Sequence, residues 1–137
     1  MFGDHQANIE TEFYEHLYGK SLSELDINEI QKRYTTPFVI WANYDIEEEY
    51  IDATSLNYQS SYVLKVAGVQ MTEYNRFLLE LFESIPVQNA LGHMDNNGEY
   101  FGLEEEREEA DLLLKYHMLQ YNYMFDKKYE LIIFLDY

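Results

Sequence analysis

Asp4 and His5 stand side by side after Met1-Phe2-Gly3, an apolar entry that reads as the exit of a buried strand. A carboxylate beside a neutral imidazole is a sound ligand pair for a divalent metal such as Mn²⁺ or Zn²⁺. The chain has no Cys, so any metal must be held by carboxylate, imidazole or hydroxyl groups. Ligands in α/β sheets gather at the carboxyl ends of strands, which suits a polar pair at such an exit. Gly3 is expected to permit an unusual backbone turn into the pair. A hydrolytic metal centre commonly has three protein ligands, an open position and a nucleophile within reach. Nothing later in the chain supplies these with convincing spacing, so Asp4 and His5 read as part of a site.

Other candidates have plainer readings. His16 falls on or beside a helix and reads as a surface residue, His93 as hairpin surface, and His117 as a core histidine in an apolar stripe. Glu47-Glu48-Glu49 and the glutamates after Leu103 read as solvated. The tyrosines recur at helix-facing positions without interleaved basic residues, which suits core and rim rather than a base-stacking platform. There is no Gly-rich phosphate loop and no Gly-x-Ser-x-Gly elbow.

The elements that must carry the pair follow from spacing and caps. Asn8 is placed to cap a short helix with Ile9, Phe13 and Leu17 on one face and Gly19 at its end. Ser21-Leu22-Ser23-Glu24 fits a capping box and Asp26 with Glu29 repeats it, predicting a second helix to about Tyr34 with Leu25, Ile30 and Tyr34 inward. Pro37 to Tyr44 is β-branched and aromatic with little alternation, predicting a strand buried on both faces within a layered α/β sheet. After an acidic loop from Asp45 to Asp52, Ser55 caps a helix through Ala67 with Leu56, Val63, Leu64 and Ala67 on its apolar side. Thr72 opens another, where Tyr74, Phe77, Leu78, Leu81, Phe82 and Ile85 repeat at helical spacing until Pro86, and these two helices should pack. Asn97-Gly98 between Gly92-His93-Met94 and Glu99-Tyr100-Phe101 predicts a small antiparallel hairpin. A last helix is predicted from about Glu104 to Phe125, its stripe formed by Ala110, Leu113, Leu114, His117, Tyr121 and Met124. The tail from Tyr129 to Tyr137 leans towards a terminal strand. No repeat, low-complexity segment or flexible linker divides the 137 residues, so a single domain or fragment is expected.

Composition bounds the function. Hydrophobic residues make up 47% and aromatics 17%, with 14 Tyr and 8 Phe, enough for an ordinary folded core. Nine Lys plus Arg against 26 Asp plus Glu give a formal charge of −17, which repels phosphate backbones and anionic lipid surfaces and argues against nucleic acid as a partner. The longest apolar run, Leu131-Ile132-Ile133-Phe134-Leu135, is far below the ~20 residues of a membrane span, so no membrane insertion by this segment is expected.

Three groups of residues resemble one family. They are Phe2-Gly3-Asp4-His5-Gln6, Tyr18-Gly19-Lys20-Ser21-Leu22, and the run from Gln31 through Thr36-Pro37-Phe38-Val39-Ile40-Trp41-Ala42-Asn43-Tyr44-Asp45-Ile46. Ser55-Leu56-Asn57-Tyr58, Ala67-Gly68-Val69 and Gln120 to Asp126 extend the likeness to about Lys128. The chain is similar to the C-terminal region of the lipoteichoic acid synthase-like branch of the sulfatase and alkaline phosphatase superfamily. Thr36 to Ile46 is specific to that branch, whereas Gly-Asp-His is shared across the superfamily.

The resemblance implies the C-terminal portion of an alkaline phosphatase/sulfatase-like layered sheet with helices, in a parent enzyme at the cell membrane with an extracellular catalytic domain. That enzyme would transfer or hydrolyse phosphoglycerol or related phosphate or sulfate esters of a lipid or polymer. It implies a divalent metal, usually Mn²⁺, with Asp4 and His5 matching the late Asp-His ligand pair. The family's threonine nucleophile, earlier acidic ligand and membrane helices lie upstream of the matched region, so the missing N-terminal part of the parent is an expected partner and the segment is expected to be inactive alone. Ala7 stands where the branch commonly has proline. A different reading is a stand-alone acidic interaction module that keeps the fold without catalysis and self-associates through open strand edges.

Overall fold

The computed structural model describes residues 1–103 and 110–125. Among them the fold is mixed α/β, with five α-helices and a small three-stranded antiparallel sheet. The chain gathers into two compact units, Met1–Asp45 and the part from Ile46 onward. The helix start expected at Glu104 and the terminal strand expected from Tyr129 to Tyr137 fall outside the described residues.

In the first unit, α1 spans Thr11–Tyr18 and ends at Gly19. Its residue before the first turn is Glu10, with no side-chain cap, so Asn8 does not cap it as expected. Phe13 and Leu17 are exposed, and α1 buries no residue. A 3₁₀ turn at Leu22–Glu24 follows, its start held by the Glu24 carboxylate, which accepts from the Ser21 N–H at 3.0 Å. Helix α2, Ile27–Lys32, carries the full reciprocal box: Asp26 Oδ1 accepts from the Glu29 N–H, and Glu29 Oε2 from the Asp26 N–H, each at 2.9 Å. Two separate short helices form where one longer helix was read, and Tyr34 is exposed rather than inward.

Pro37 to Tyr44 also departs from expectation. It forms a single antiparallel bridge, Phe38 to Phe2, and no residue of the run is buried. Trp41 is 80% exposed. A run rich in β-formers signals a preference for extended backbone, and burial on two faces also requires neighbours on both sides. Among the described residues its backbone pairs with Met1 to Gly3 on one side.

The second unit has a core. Helix α3 (Leu56–Val66) packs on α4 (Glu73–Ser84), and α5 (Ala110–Phe125) completes a cluster of Tyr58, Phe77, Leu78, Leu81, Ile85, Tyr116 and Leu119. Each such side chain fully withdrawn from water stabilises the fold by roughly 1.5–3 kcal/mol. The α4 stripe is the predicted one, opened by Thr72, whose Oγ1 accepts from the Asn75 N–H at 3.2 Å. The α3 face is not: Tyr58, Ser61 and Tyr62 are buried, while Leu56 and Val63 are exposed. Tyr58 and Tyr62 meet the Phe82 ring edge-on at 5.8 and 6.0 Å, which aromatic quadrupoles favour. On α5, Tyr116 and Leu119 face the core, whereas Leu114, Tyr121 and Met124 of the predicted stripe are exposed.

Strands β1 (Val87–Asn89), β2 (Gly92–Met94) and β3 (Tyr100–Phe101) form the sheet in that order. The β2–β3 hairpin is where the Asn97-Gly98 turn placed it, with His93 opposite Phe101 and Met94 opposite Tyr100. Asp95 builds the turn: its Oδ1 accepts from the N–H of Asn97 and Glu99 at 3.0 and 2.9 Å. Gly92 has φ +144°, and a side chain there would meet the Phe101 carbonyl oxygen at 1.9 Å, so only glycine fits. Strand β1 was not separately anticipated. It is fastened by Ser55, whose Oγ accepts from the Gln88 N–H at 2.6 Å and donates to the Gln88 carbonyl at 2.8 Å.

Candidate functional site

The first unit positions Asp4 and His5 through main-chain pairing. Met1 and Val39 exchange two hydrogen bonds: the Met1 nitrogen donates to the Val39 carbonyl at 2.6 Å and the Val39 N–H to the Met1 carbonyl at 2.8 Å. The Gly3 N–H donates to the Pro37 carbonyl at 2.9 Å, and Thr36 Oγ1 donates to the Gly3 carbonyl at the same distance. The Gln6 amide then donates to the Thr35 carbonyl. Residues on both sides of Asp4-His5 are thus tied to one segment, 35–39, and the pair leaves a short paired stretch that is an exposed single bridge rather than the buried strand expected, with Met1 90% and Phe2 52% exposed. Gly3 serves by its size, since it is not among the positive-φ glycines and an added Cβ would lie 2.8 Å from Thr36 Cβ. The expected unusual turn is therefore absent, and close approach of two backbones is the reason for glycine.

Asp4 and His5 point outward, their side chains 86% and 78% exposed, with Asp4 Oδ2 3.9 Å from His5 Nε2. His5 Nδ1 lies 2.8 Å from the Gln6 carbonyl oxygen. A carbonyl can only accept, so Nδ1 is the donor in this contact, and a ring nitrogen donating to a carbonyl is the second-nitrogen arrangement usual for metal-ligating imidazoles. Two donors about 2.1 Å from a shared ion are separated by at most about 4.2 Å. At 3.9 Å the two donor atoms are wider apart than the about 3.0–3.4 Å that neighbouring octahedral or tetrahedral positions around such an ion set, so a shared ion would require the two exposed side chains to close in. Among the described residues no group of three or more His, Asp or Glu side chains is arranged around a common ion.

Both residues open onto a cleft of about 330 Å³ whose wall includes Gln6, Tyr14, Arg33 and Tyr34. The Arg33 guanidinium carbon lies 4.7 Å above the centre of the Tyr14 ring. Arg33 Nε is buried without a hydrogen-bond partner. Arg33 was not read as a site residue. The available signal was its place: the residue closing α2, directly before the segment that pairs with the approach to Asp4.

The other histidines sort differently from expectation. His16 is exposed, as read. His93, read as hairpin surface, is buried in β2 against Phe101, ring centres 5.5 Å apart, with Nε2 unpartnered. His117, read as a core residue, is exposed and lies 3.1 Å from the Gln88 amide. The two exchange environments because His93 sits mid-strand between buried neighbours while the core face of α5 runs through Tyr116 and Leu119. Glu47, Glu48 and Glu49 are exposed as read, with Glu49 also accepting from the Tyr62 hydroxyl.

Among the described residues no helix is long and apolar enough to cross a membrane. The chain is 26% identical over 134 residues to a Rhizobium meliloti (strain 1021) protein named for cyclic beta-1,2-glucan modification. The match covers 94% of this chain and 21% of that protein, so the chain spans about a fifth of the length of its relative. No family model matches the sequence. No solved structure matches it.

Proposed function

We propose that this chain is the C-terminal portion of a metal-dependent phosphoglycerol transferase or sulfatase-like hydrolase that modifies a glycan or lipid at the cell envelope. In this reading Asp4 and His5 are two of the ligands of its divalent metal, Mn²⁺ by the family resemblance. The observation that carries it is the Asp4-His5 pair, an outward-facing carboxylate and an imidazole whose Nδ1 is occupied by a carbonyl, at the mouth of a cleft. The relative named for glucan modification supports the envelope glycan as the object of the chemistry.

A divalent cation held there supplies Lewis acidity towards a phosphoryl or sulfuryl oxygen. The chain's own residues orient the ligands: the Gln6 carbonyl fixes the His5 ring, and the segment 35–39 fixes the backbone on either side. Two ligands fall short of the three usual for a catalytic centre, so in this proposal the remainder comes from the rest of the parent enzyme. The acceptor or nucleophile comes from there too, and the isolated chain turns over no ester.

Calorimetric titration of Mn²⁺ into the 137-residue chain tests the proposal. Binding is expected in the native chain, weakened roughly tenfold or more in Asp4→Asn and in His5→Gln. Both variants should keep the native circular dichroism, because neither side chain is packed. Equal Mn²⁺ affinity in all three proteins would remove the reading.

A second reading has its own observation. The first unit leaves Phe2, Phe13, Leu17, Val39 and Trp41 exposed, apolar surface that a docking partner would cover. If Mn²⁺ does not bind while the chain self-associates, the acidic interaction module is the better description.

A further inference from the structure

We propose that Arg33 is the anion-binding side of the Asp4-His5 cleft and holds the phosphate group of the ester, an assignment that rests on the phosphate-ester reading above. Four observations lead there. The chain carries 26 acidic residues against 9 Lys and Arg, so a cation without a carboxylate partner stands out. Lys20, Lys65 and Arg76 each pair with a glutamate, whereas among the described residues Arg33, like Lys32 and Lys115, has no ion pair, and of these three only Arg33 lines the cleft. Its Nε makes no hydrogen bond, so no protein acceptor is engaged by that edge of the fork. The guanidinium carbon lies 4.7 Å over the centre of the Tyr14 ring, a cation–π contact that holds the group beside the cleft, and its planar fork is the donor set that matches phosphate oxygens.

The cleft brings this donor together with the ligand pair. At about 330 Å³ it is at the lower end of small-molecule sites, room for a phosphoester and part of its alcohol but not for a polymer segment. Asp4 lines the same cleft, and its carboxylate repels an anion until its charge is offset. Arg33 and a cation at Asp4-His5 therefore act on the same ligand: phosphate should bind weakly to the metal-free chain and more tightly with Mn²⁺ present. A neutral sugar without a phosphate gains nothing from this arrangement.

The test is titration of the ¹⁵N-labelled 137-residue chain with glycerol phosphate, and separately with inorganic phosphate, in chelator and with saturating Mg²⁺ as a diamagnetic stand-in for Mn²⁺. The Arg33 Nε–H signal should move on titration together with the amides of Gln6 and Tyr14. The dissociation constant should rise about tenfold in Arg33→Gln, with Arg33→Lys between the two because it keeps the charge and loses the fork. An Arg33 Nε–H signal that stays still, in the native protein, overturns the assignment even if a variant fails to fold. So does equal phosphate affinity in native, Arg33→Gln and Arg33→Lys proteins. The two proposals fail separately. Arg33-dependent phosphate binding in chelator without Mn²⁺ binding keeps this one and removes the metal centre, while Mn²⁺ binding at Asp4-His5 with phosphate indifferent to Arg33 does the reverse. Inorganic phosphate binding as tightly as glycerol phosphate locates recognition in the phosphate alone, and tighter glycerol phosphate adds the alcohol to what the cleft holds.

Discussion

A methyl group on residue 3 would lie 2.8 Å from Thr36 Cβ and 3.3 Å from Pro37 Cδ, and neither atom can swing aside, because the first is bonded directly to Cα and the second is locked in the pyrrolidine ring. Gly3→Ala should therefore force the paired backbones apart, at a cost of about 1–3 kcal/mol, the usual range for overpacking. Hydrogen exchange checks this: the amides of Gly3 and Val39, which donate across the pairing, should exchange faster in the variant while those of α4 stay unchanged. Unaltered exchange at both would show that the space is not limiting. The glycine was visible in the sequence and its reason was not, since spacing can suggest a turn but cannot report which other chain passes within 3 Å. The same holds for His93 and His117. Their residue type set the chemistry, and their burial depended on which side of each element faces the core. The closeness of Asp4 and His5, by contrast, follows from the sequence itself, because adjacency along the chain brings the two groups together.

At the scale of elements, Ser55 shows how a helix terminus can be diverted. Its hydroxyl sits where it could cap α3, yet it makes both of its hydrogen bonds to the main chain of Gln88 in β1, and its own N–H donates to the Pro86 carbonyl at 3.1 Å. Ser55→Ala should leave the Gln88 N–H and carbonyl without these partners in a nearly buried setting and cost about 1–3 kcal/mol. Urea unfolding monitored by circular dichroism measures it. A loss below about 0.5 kcal/mol would mean that water replaces the hydroxyl at little cost. Capping signals are clear where they are local and reciprocal, as at Asp26 with Glu29, and Thr72 opens α4 as expected, with Asn75 as its partner. They misled where the side chain had a distant competitor, as at Ser55. The α3 face was misread because the small aliphatics Val63 and Leu64 were given precedence over Tyr58 and Tyr62, although a tyrosine ring brings more area to the core. Pro37 to Tyr44 was misread because an unbroken apolar run states backbone preference without naming neighbours.

For the molecule as a whole, the tyrosines set a limit in alkali. Burial raises the hydroxyl pKa of Tyr58, Tyr62, Tyr74, Tyr100 and Tyr116, and the Glu49 carboxylate beside Tyr62 adds to the rise there. A pKa higher in the folded than in the unfolded chain means that the folded form binds more protons as the pH climbs. The stability is then fully present below the unfolded value of about 10 and is lost as pH rises from there through the folded values. Urea midpoints should hold steady between about pH 7 and 9 and fall beyond about 10, with tyrosinate absorbance appearing together with unfolding. Midpoints that stay level to about pH 11 would contradict it. A single feature of the first unit reaches further. The stretch before Asp4 is held mainly by main-chain atoms, through Met1, Gly3, Pro37 and Val39. Such a fastening is indifferent to most side chains and strict about count, because one inserted residue on either strand would turn Asp4 to the opposite face. Drift in amino-acid identity and rigidity in spacing are thus compatible here, and distant kin of this segment should differ freely at positions 2 and 38 while keeping the number of residues that separates them from the aspartate and from Thr36.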